Sequence, residues 1–384
     1  MQTQTGIWPS PLSHLSRVRP DHPVLYLCPS KLQATARRFQ AGFPGLVTYA
    51  VKANPDRAVL ENLTAAGINA FDVASPTEMR AVREVNPDAT LHYNNPVRSR
   101  DEIAAGIAAG VVSWSVDEAG ELAKLTALHP RTEIAVRFKL PVSGAAYDFG
   151  EKFGATPEEA AKLLRQITDA GYTPALCFHP GTQCMEAEAW AKYIHAAASI
   201  AEQAGVRIAR LNVGGGFPVA RDDGTLPPEP VFSAIERAKQ TAFGPTAPAL
   251  VCEPGRAMVG EAATLATRVK SLRGDGTVFL NEGIYGGLAD IKDSGPTTRL
   301  RIYAPDGTPR TGDLRPVRIF GPTCDSLDVL PDGLQLSDDI EEGDFVLFDG
   351  HGAYSACMTS AFNGYGLHDV VTVLSLSGQS GLEG

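Results

Sequence analysis

The sequence has no long hydrophobic run, which excludes the simplest kind of membrane protein. Of its 384 residues 43% are hydrophobic, yet no window approaches the roughly 18 unbroken apolar residues that cross a bilayer. The first residues, Met1-Gln-Thr-Gln-Thr, contain neither the basic nor the apolar segment of a secretory signal. We therefore expect a cytoplasmic protein with no membrane partner.

Basic residues are also scarce. The chain carries 34 Lys and Arg against 44 Asp and Glu, a net charge of −10, which argues against a nucleic-acid partner because such proteins need a basic face. The excess of acidic residues is compatible with a cationic substrate, although such an excess commonly serves solubility alone. The six cysteines include no CxxC pair, which argues against a zinc or thioredoxin-type site, and no metal is predicted.

From residue 47 onward, short apolar segments alternate with helical ones that start at polar capping residues and end at glycine. Eight strands are predicted here: Val47–Ala53, Asn69–Val73, Ala89–Tyr93, Val111–Ser115, Glu133–Lys139, Ala175–His179, Ile208–Val213 and Ala249–Glu253. Eight consecutive βα units predict a (β/α)8 TIM barrel. The alternative, an open doubly wound sheet, usually has its glycine-rich turn after the first strand, whereas here that turn follows the seventh.

Four segments of this region have the pattern of a helix capping box: Ser75-Pro-Thr-Glu78, Ser99-Arg-Asp-Glu102, Ser115-Val-Asp-Glu118 and Thr156-Pro-Glu-Glu159. After residue 262 the alternation stops, and strand-like segments between Gly, Pro and Asp turns predict an antiparallel β domain. The predicted domains are a barrel over residues 29–262 and a β domain over residues 1–28 and 263–384. Val24–Cys28 is predicted as a strand of the β domain.

Charged residues and glycines gather where the predicted barrel strands end, the edge at which barrel enzymes hold their active sites. They are Lys52, Asp72, Arg137, His179, the Gly214-Gly215-Gly216 run and Glu253-Pro-Gly255-Arg256. Loops after the seventh and eighth strands often bind phosphate in barrels, since glycines expose backbone N–H groups and an arginine such as Arg256 offers two donors. A tight turn is the alternative interpretation of the glycine run.

Lys52 ends an apolar strand, where an ordinary lysine is costly to bury. A desolvated lysine has a lowered pKa and forms Schiff bases, whereas an interior ion pair with Asp72 or Glu253 is the alternative. A carboxylate such as Glu253 can keep a pyridine nitrogen protonated, and His179 can stack on a flat ring. Lysine, carboxylate and phosphate-binding loops together predict pyridoxal 5′-phosphate (PLP) as the cofactor.

Seven sequence blocks occur in a fixed order along the chain. They are Tyr49-Ala-Val-Lys52-Ala-Asn-Pro55, Phe71-Asp72-Val-Ala-Ser75, Glu151-Lys-Phe-Gly154, His179-Pro-Gly-Thr-Gln183, Asn212-Val-Gly-Gly-Gly-Phe-Pro218, Glu253-Pro-Gly-Arg256 and Gly321-Pro-Thr-Cys-Asp-Ser-Leu-Asp328. Together these blocks resemble the fold type III PLP-dependent decarboxylases, and most of all their bacterial ornithine/lysine decarboxylase branch. The resemblance implies an alanine-racemase-like barrel with a C-terminal β domain, in agreement with the pattern of predicted elements.

The resemblance also implies a role for each matching residue. Lys52 would bind PLP as a Schiff base, Glu253 would pair with the ring nitrogen, and His179 would stack on the ring. The phosphate would be held by Gly214, Gly215, Gly216, Thr182, Gly255 and Arg256. The cofactor pocket would further be lined by Asp72, Arg137 and Tyr354.

In this family the pair equivalent to Cys324-Asp325 reaches the active site of the partner subunit, so the resemblance implies a homodimer with shared active sites. Cys324 would act near Cα, where the carbanion left by loss of CO₂ is protonated, and Asp325 would hold the distal amine of the substrate. An inert thiol and a turn-capping acid are the alternatives. Asp290 and Asp293 are further candidates for binding the distal ammonium, or else solvated loop acids.

The predicted reaction is PLP-dependent decarboxylation of L-ornithine and/or L-lysine to a diamine, as in polyamine biosynthesis. Two departures from the family pattern bear on the substrate: Pro180 follows His179 where the family usually has Val, and Asp290 stands where many bacterial relatives have Glu. Other substrates therefore stay open, namely meso-diaminopimelate, carboxynorspermidine, D-ornithine, D-lysine and a modified diamino acid. Amino-acid racemases and non-catalytic inhibitor-binding homologues resemble the chain less.

Overall fold

The structure, a computed structural model, describes residues 2–3, 6–140, 152–222, 224, 226–367 and 369–377. Glu151, the first residue of one family block, lies outside the described residues. The chain forms two compact units. As far as their residues are described, the barrel unit comprises Ala36–Pro218 and Pro227–Gly255, and the β unit comprises Met1–Thr35, Val219–Leu226 and Arg256–Gly384. The domain boundaries predicted at residues 28/29 and 262/263 stay a prediction.

The described helices and strands are numbered in chain order. The helices are α1 (Pro11–Val18), α2 (Pro29–Gly42), α3 (Arg57–Ala65), α4 (Pro76–Val85), α5 (Arg100–Ala108), α6 (Ala119–Leu122), α7 (Pro157–Asp169), α8 (Ala187–Ala204), α9 (Glu229–Phe243), α10 (Arg256–Val259) and α11 (Ile291–Ser294). The strands are β1 (Gln2–Thr3), β2 (Val24–Leu27), β3 (Leu46–Val47), β4 (Tyr49–Ala50), β5 (Ala70–Val73), β6 (Thr90–Tyr93), β7 (Ser113–Val116), β8 (Glu133–Arg137), β9 (Thr173–Cys177), β10 (Arg210–Asn212), β11 (Ala249–Cys252), β12 (Ala263–Leu272), β13 (Val278–Leu280), β14 (Leu300–Tyr303), β15 (Leu314–Pro316), β16 (Ile319–Phe320), β17 (Gln335–Ser337), β18 (Phe345–Asp349) and β19 (Asp369–Thr372).

The barrel unit is built on a parallel sheet with the strand order β3-β11-β10-β9-β8-β7-β6-β5-β4. Its first strand is in two pieces, of which β3 pairs with β11 and β4 pairs with β5. The ring therefore closes through the break at Thr48, whose N–H donates to the carbonyl of Cys252 at 2.9 Å. The TIM barrel prediction is confirmed, and the open-sheet alternative is wrong because the first and last strands pair.

Buried strands and one face of each long helix form the core of the barrel unit. All four residues of β5 and of β7 are buried, as expected for parallel strands that are covered on both faces. Helix α8 buries Trp190, Tyr193, Ile194 and Ala197 at the spacing of a single helix face. The strand ends, and with them the candidate site, are thus supported by a closely packed scaffold.

Three of the four predicted capping patterns start a helix. Ser99 and Thr156 each form a complete capping box with the glutamate three residues on. At α4 the hydroxyl of Ser75 accepts from the N–H of Glu78, but the Glu78 carboxylate accepts from the N–H of Ala74 at 2.7 Å. That cap is therefore shifted by one residue from the predicted box.

The fourth capping prediction, at Ser115, is wrong. Ser115 lies in β7, is fully buried, and donates its hydroxyl to the backbone carbonyl of Asn94 at 2.7 Å. Helix α6 begins only at Ala119 and has no side-chain cap at Glu118. Pairing of β7 with β6 and β8 fixes the backbone of Ser115 before the helix can begin.

The β unit is organised around the long strand β12. Strands β2, β18 and β13 pair with β12 in antiparallel fashion, and β14 pairs in the same way with β18. The predicted second, antiparallel domain is therefore confirmed, including the strand predicted near the N-terminus. Tyr26, Phe345, Leu347 and Val371 belong to its apolar core.

Within the described part of the chain, no helix is both long enough and apolar enough to span a bilayer. The same residues contain no cluster of three or more potential metal ligands of the His, Cys, Asp and Glu types.

Candidate active site

Lys52 lies in a single 3-10 turn at the carboxyl end of β4. Its neighbours Val51 and Ala53 are buried, and the hydroxyl of Tyr49 donates to the carbonyl of Asn54 at 2.9 Å, which anchors the turn. Lys52 itself is exposed. The expected desolvation of this lysine is therefore not observed, because the strand ends two residues before it.

Two carboxylates of the barrel unit, Asp72 and Glu253, lie close enough to influence each other. Asp72 is only 4% exposed, and this burial, followed by the charge of Glu253, raises its pKa well above the usual range. The positive charge of Lys52 acts in the opposite direction. The strand ends thus bring together three of the residues that were predicted to form the site.

Two amide side chains hold Glu253. The Nδ2 groups of Asn94 and Asn212 both donate to its Oε2, at 2.8 and 2.9 Å. Asn94 follows β6 directly, and Asn212 is the last residue of β10. A partly buried carboxylate with two donors on one oxygen has a defined orientation.

His179 follows β9 and is kept neutral. The N–H of Gly181 donates to its Nδ1 at 3.1 Å, so this nitrogen accepts and the proton is on Nε2. Burial, assisted by the positive charges of Lys52 and Arg137, holds the pKa of His179 well below its usual value. A neutral imidazole of this kind offers a flat face to another ring.

The glycine run after β10 has no room for side chains. A Cβ on Gly214 would lie 2.2 Å from the carbonyl oxygen of Phe178, and one on Gly216 would lie 2.5 Å from that of Gly181. Both glycines have left-handed backbone angles, with φ of +70° and +84°. A Cβ on Gly215 would meet the Glu253 carbonyl at 2.8 Å. The run is therefore packed against the loops that carry His179 and Glu253.

The same run presents unused backbone donors. The N–H of Gly214 donates to Oδ1 of Asn212 at 2.8 Å, whereas those of Gly215 and Gly216 have no acceptor among the described residues. Gly215 is buried, and a buried N–H without an acceptor is costly unless a ligand satisfies it. An anionic phosphate supplies such acceptors, so the barrel unit fits the predicted PLP at its phosphate end.

Arg137 and Thr182 complete the predicted residues of the barrel unit. Arg137 is the last residue of β8, and its guanidinium lies 4.9 Å from the ring centre of Phe153. Thr182 lies between Gly181 and Gln183 in the loop that precedes α8. Their predicted contacts with the cofactor stay predictions.

In the β unit, Arg256 forms a bidentate pair with Asp290, at 2.5 and 2.7 Å, and its guanidinium lies 4.8 Å from the ring centre of Tyr354. Arg221 donates to the same carboxylate at 3.1 Å. Although burial acts in the opposite direction, the two arginines lower the pKa of Asp290. Asp290 therefore has guanidinium partners here, and its predicted contact with a substrate ammonium stays a prediction, as does that of the exposed Asp293.

Cys324 and Asp325 lie on an exposed turn of the β unit. The N–H of Cys324 donates to Oδ1 of Asn363 at 3.0 Å, and the phenol of Tyr285 donates to the Asp325 carboxylate. This hydrogen bond is the main reason that the pKa of Asp325 is lowered. Tyr285 was not predicted as a site residue.

Comparison with known proteins adds the following similarities. Residues 29–260 match the family described as "Pyridoxal-dependent decarboxylase, pyridoxal binding domain". The chain is 32% identical to a lysine/ornithine decarboxylase of Selenomonas ruminantium over 83% of this chain and 81% of that protein. The arginine decarboxylase of Paramecium bursaria Chlorella virus is similar in structure, with a TM-score of 0.83 and 26% identity over 94% of this chain and 98% of the other. A mutant of SrLDC in complex with PLP has a TM-score of 0.83 and 28% identity over 97% of this chain and 96% of the other.

Proposed function

The chain belongs to the pyridoxal-dependent decarboxylases, with PLP as its cofactor, and from this premise we propose that it converts L-ornithine and/or L-lysine to a diamine and CO₂. One observation carries the proposal. The neighbouring strand ends of the barrel unit combine a lysine, a carboxylate held by amides, and two backbone N–H groups without acceptors. These groups match the aldehyde, the ring nitrogen and the phosphate of PLP.

Bound PLP supplies an electron sink for the electron pair that CO₂ leaves behind. Lys52 would hold the cofactor through its amine. Glu253 would keep a proton on the ring nitrogen, and the neutral His179 would offer its flat face to the ring. The N–H groups of Gly215 and Gly216 would bind the phosphate. The contacts proposed for Gly255, Arg256, Thr182, Asp72, Arg137 and Tyr354 rest on the family resemblance.

Cys324 and Asp325 are proposed to complete the site from a partner subunit. Cys324 delivers or relays the proton to Cα, and Asp325, kept ionised by the hydrogen bond from Tyr285, binds the distal ammonium of the substrate. Relatives named as lysine, ornithine and arginine decarboxylases all act on substrates with a distal cation, which supports this assignment.

A homodimer is supported by the surface around this turn. Leu327 is 68% exposed and lies three residues after the exposed Cys324. Phe362 is 43% exposed and precedes Asn363, whose side chain accepts the N–H of Cys324. Apolar side chains clustered in this way favour a protein partner, and a second copy of the chain is the partner we propose. Cys28, Cys177, Cys184 and Cys252 are buried thiols outside any disulfide, which fits the predicted cytoplasmic location, itself a proposal.

Release of CO₂ from a substrate panel tests the function. The PLP-loaded protein is incubated with L- and D-ornithine, L- and D-lysine, arginine, meso-diaminopimelate and carboxynorspermidine. We expect release from L-ornithine or L-lysine, and none from Lys52→Ala, which also loses the visible absorbance of bound cofactor. The matched control is Lys192→Ala, at an exposed lysine of α8. Exclusive turnover of another diamino acid would overturn the proposed substrate, and visible absorbance retained in Lys52→Ala would overturn the assignment of Lys52.

A further inference from the structure

We propose that Asn94 and Asn212 are positioning residues for Glu253, which hold its Oε2 so that Oε1 is left to face the ring nitrogen of the cofactor. The inference rests on the proposed function and extends it to two residues whose side chains have no role there. Both amides donate to the same oxygen, at 2.8 and 2.9 Å. A carboxylate held through one oxygen cannot turn about its terminal bond without losing both hydrogen bonds.

The two donors reach Glu253 from different parts of the barrel. Asn212 ends β10, which pairs with β11, the strand that precedes Glu253. Asn94 follows β6, which is separated from β11 by the split first strand and by β5. Because the donors approach from separate strands, they restrict the carboxylate in more than one direction. Hydrogen bonds of this kind keep a functional side chain in the geometry that catalysis requires.

Burial, followed by the charge of Glu253, raises the pKa of Asp72 well above its usual range, and the nearby amide of Asn94 opposes this shift. Lys52 and Glu78 are the other charged groups that act on Asp72. A neutral donor beside two acids adds no charge to either. An acid at position 94 would instead add a third carboxylate, and a cation would compete with the ring nitrogen for Glu253.

Asn212 connects Glu253 to the glycine run. Its Oδ1 accepts the N–H of Gly214 at 2.8 Å while its Nδ2 donates to Glu253. The carboxylate proposed for the ring nitrogen and the turn proposed for the phosphate therefore share one side chain. The backbone N–H of Glu253 also donates to the carbonyl of Gly214 at 3.0 Å, so Asn212 adds a side-chain link to a backbone one.

Asn94→Ala gives the cleanest test. The hydroxyl of Ser115 donates to the backbone carbonyl of Asn94, so the substitution keeps that contact and removes only the amide. The matched control is Asn95→Ala in the same loop, whose side chain donates to the carbonyl of Ala74. A second variant, Asn212→Asp, keeps an acceptor for the N–H of Gly214 but replaces the donor to Glu253 by a carboxylate.

The readouts are kcat and KM, and the pH titration of the visible absorbance of bound PLP. For Asn94→Ala we expect kcat to fall about ten-fold with KM little changed, and the titration midpoint to move by about one pH unit, since the ring nitrogen loses a fixed partner. Asn212→Asp is expected to shift the same titration. Asn95→Ala is expected to match the wild type in both measurements.

The outcomes separate two failures. If the wild-type protein binds PLP, and if both Asn94→Ala and Asn212→Asp keep the wild-type titration and kcat, the positioning role alone is overturned. A wild-type protein that develops no visible absorbance with PLP would overturn the proposed function and this inference with it. If Asn94→Ala does not fold, Asn212→Asp decides by the same two readouts.

Discussion

Single residues at the barrel mouth depend on neutral neighbours as much as on charged ones. Glu253 is held by the amides of Asn94 and Asn212, and His179 by the N–H of Gly181. Neutral donors of this kind orient both groups without adding charge to the site. The site can therefore bind a cofactor with an anionic phosphate at one end and a protonated ring at the other.

Gly214 is expected to tolerate no side chain. In Gly214→Ala the new Cβ would meet the Phe178 carbonyl at 2.2 Å in a left-handed backbone, so we predict a loss of about 3 kcal/mol or more in the free energy of unfolding. Gly205→Ala is the matched control, because Gly205 has a φ of +65° but no atom within 4 Å of its Cβ. It should cost only about 1 kcal/mol. Urea denaturation measures both, and equal losses would contradict the steric argument.

The candidate site could be predicted from the sequence where its residues are charged. Lys52, Asp72, His179 and Glu253 were predicted as site residues because a titratable side chain at the end of an apolar strand needs an explanation. Asn94 and Asn212 occupy the same kind of position, yet an asparagine at a strand end is an ordinary turn residue. Neither was predicted to hold Glu253, although Asn212 opens the block that contains the glycine run. Only the structure brings them onto one carboxylate oxygen.

Among the elements, the strands were more predictable than the helix starts. All eight barrel strands lie where apolar segments predicted them, because a parallel strand that is covered on both faces consists mainly of apolar residues. The cap predicted at Ser115 failed because pairing between strands distant in sequence decides the conformation of that residue. The division of the first strand into β3 and β4 has no signal in the sequence.

The segment after β13 contains a buried acid of unusual titration. Glu282 is only 1% exposed, and burial raises its pKa from 4.5 to about 7, assisted by the charge of Asp328 and opposed by the N–H of Gly283, which donates at 2.9 Å. An acid with a raised pKa favours the folded state in its protonated form. Its contribution to the free energy of unfolding is therefore present below pH 4.5 and is lost as the pH rises to about 7.

Glu282→Gln is expected to remove this pH dependence. Between pH 4.5 and 7.5, the wild type should lose roughly 3 kcal/mol of unfolding free energy that the variant does not lose. Urea denaturation at several pH values measures the difference. The control is Glu342→Gln, an exposed glutamate of the same unit that accepts from the N–H of Leu272. Parallel pH curves for wild type and Glu282→Gln would show that Glu282 ionises normally.

For the whole molecule, the proposed shared site makes a quantitative prediction about mixed dimers. Lys52→Ala and Cys324→Ala are each expected to be severely impaired, one in the barrel unit and the other on the exposed turn of the β unit. If each site combines Lys52 of one protomer with Cys324 of its partner, an equimolar random mixture should recover about a quarter of the wild-type activity, since half of the dimers contain one intact site of two. Mass spectrometry confirms subunit exchange. Exchange without recovery would place both residues of a site in one protomer.

Both ends of the chain meet in one sheet. Strand β2 lies between β12 and β19, and its residues pair with Ala263–Ala266 and with Asp369–Thr372. All nine strands of the barrel sheet lie between Leu46 and Cys252, whereas both neighbours of β2 follow the barrel in sequence. The sheet around β2 can therefore form only after the barrel strands have been made, and deletion of β2 should damage it as much as deletion of β19.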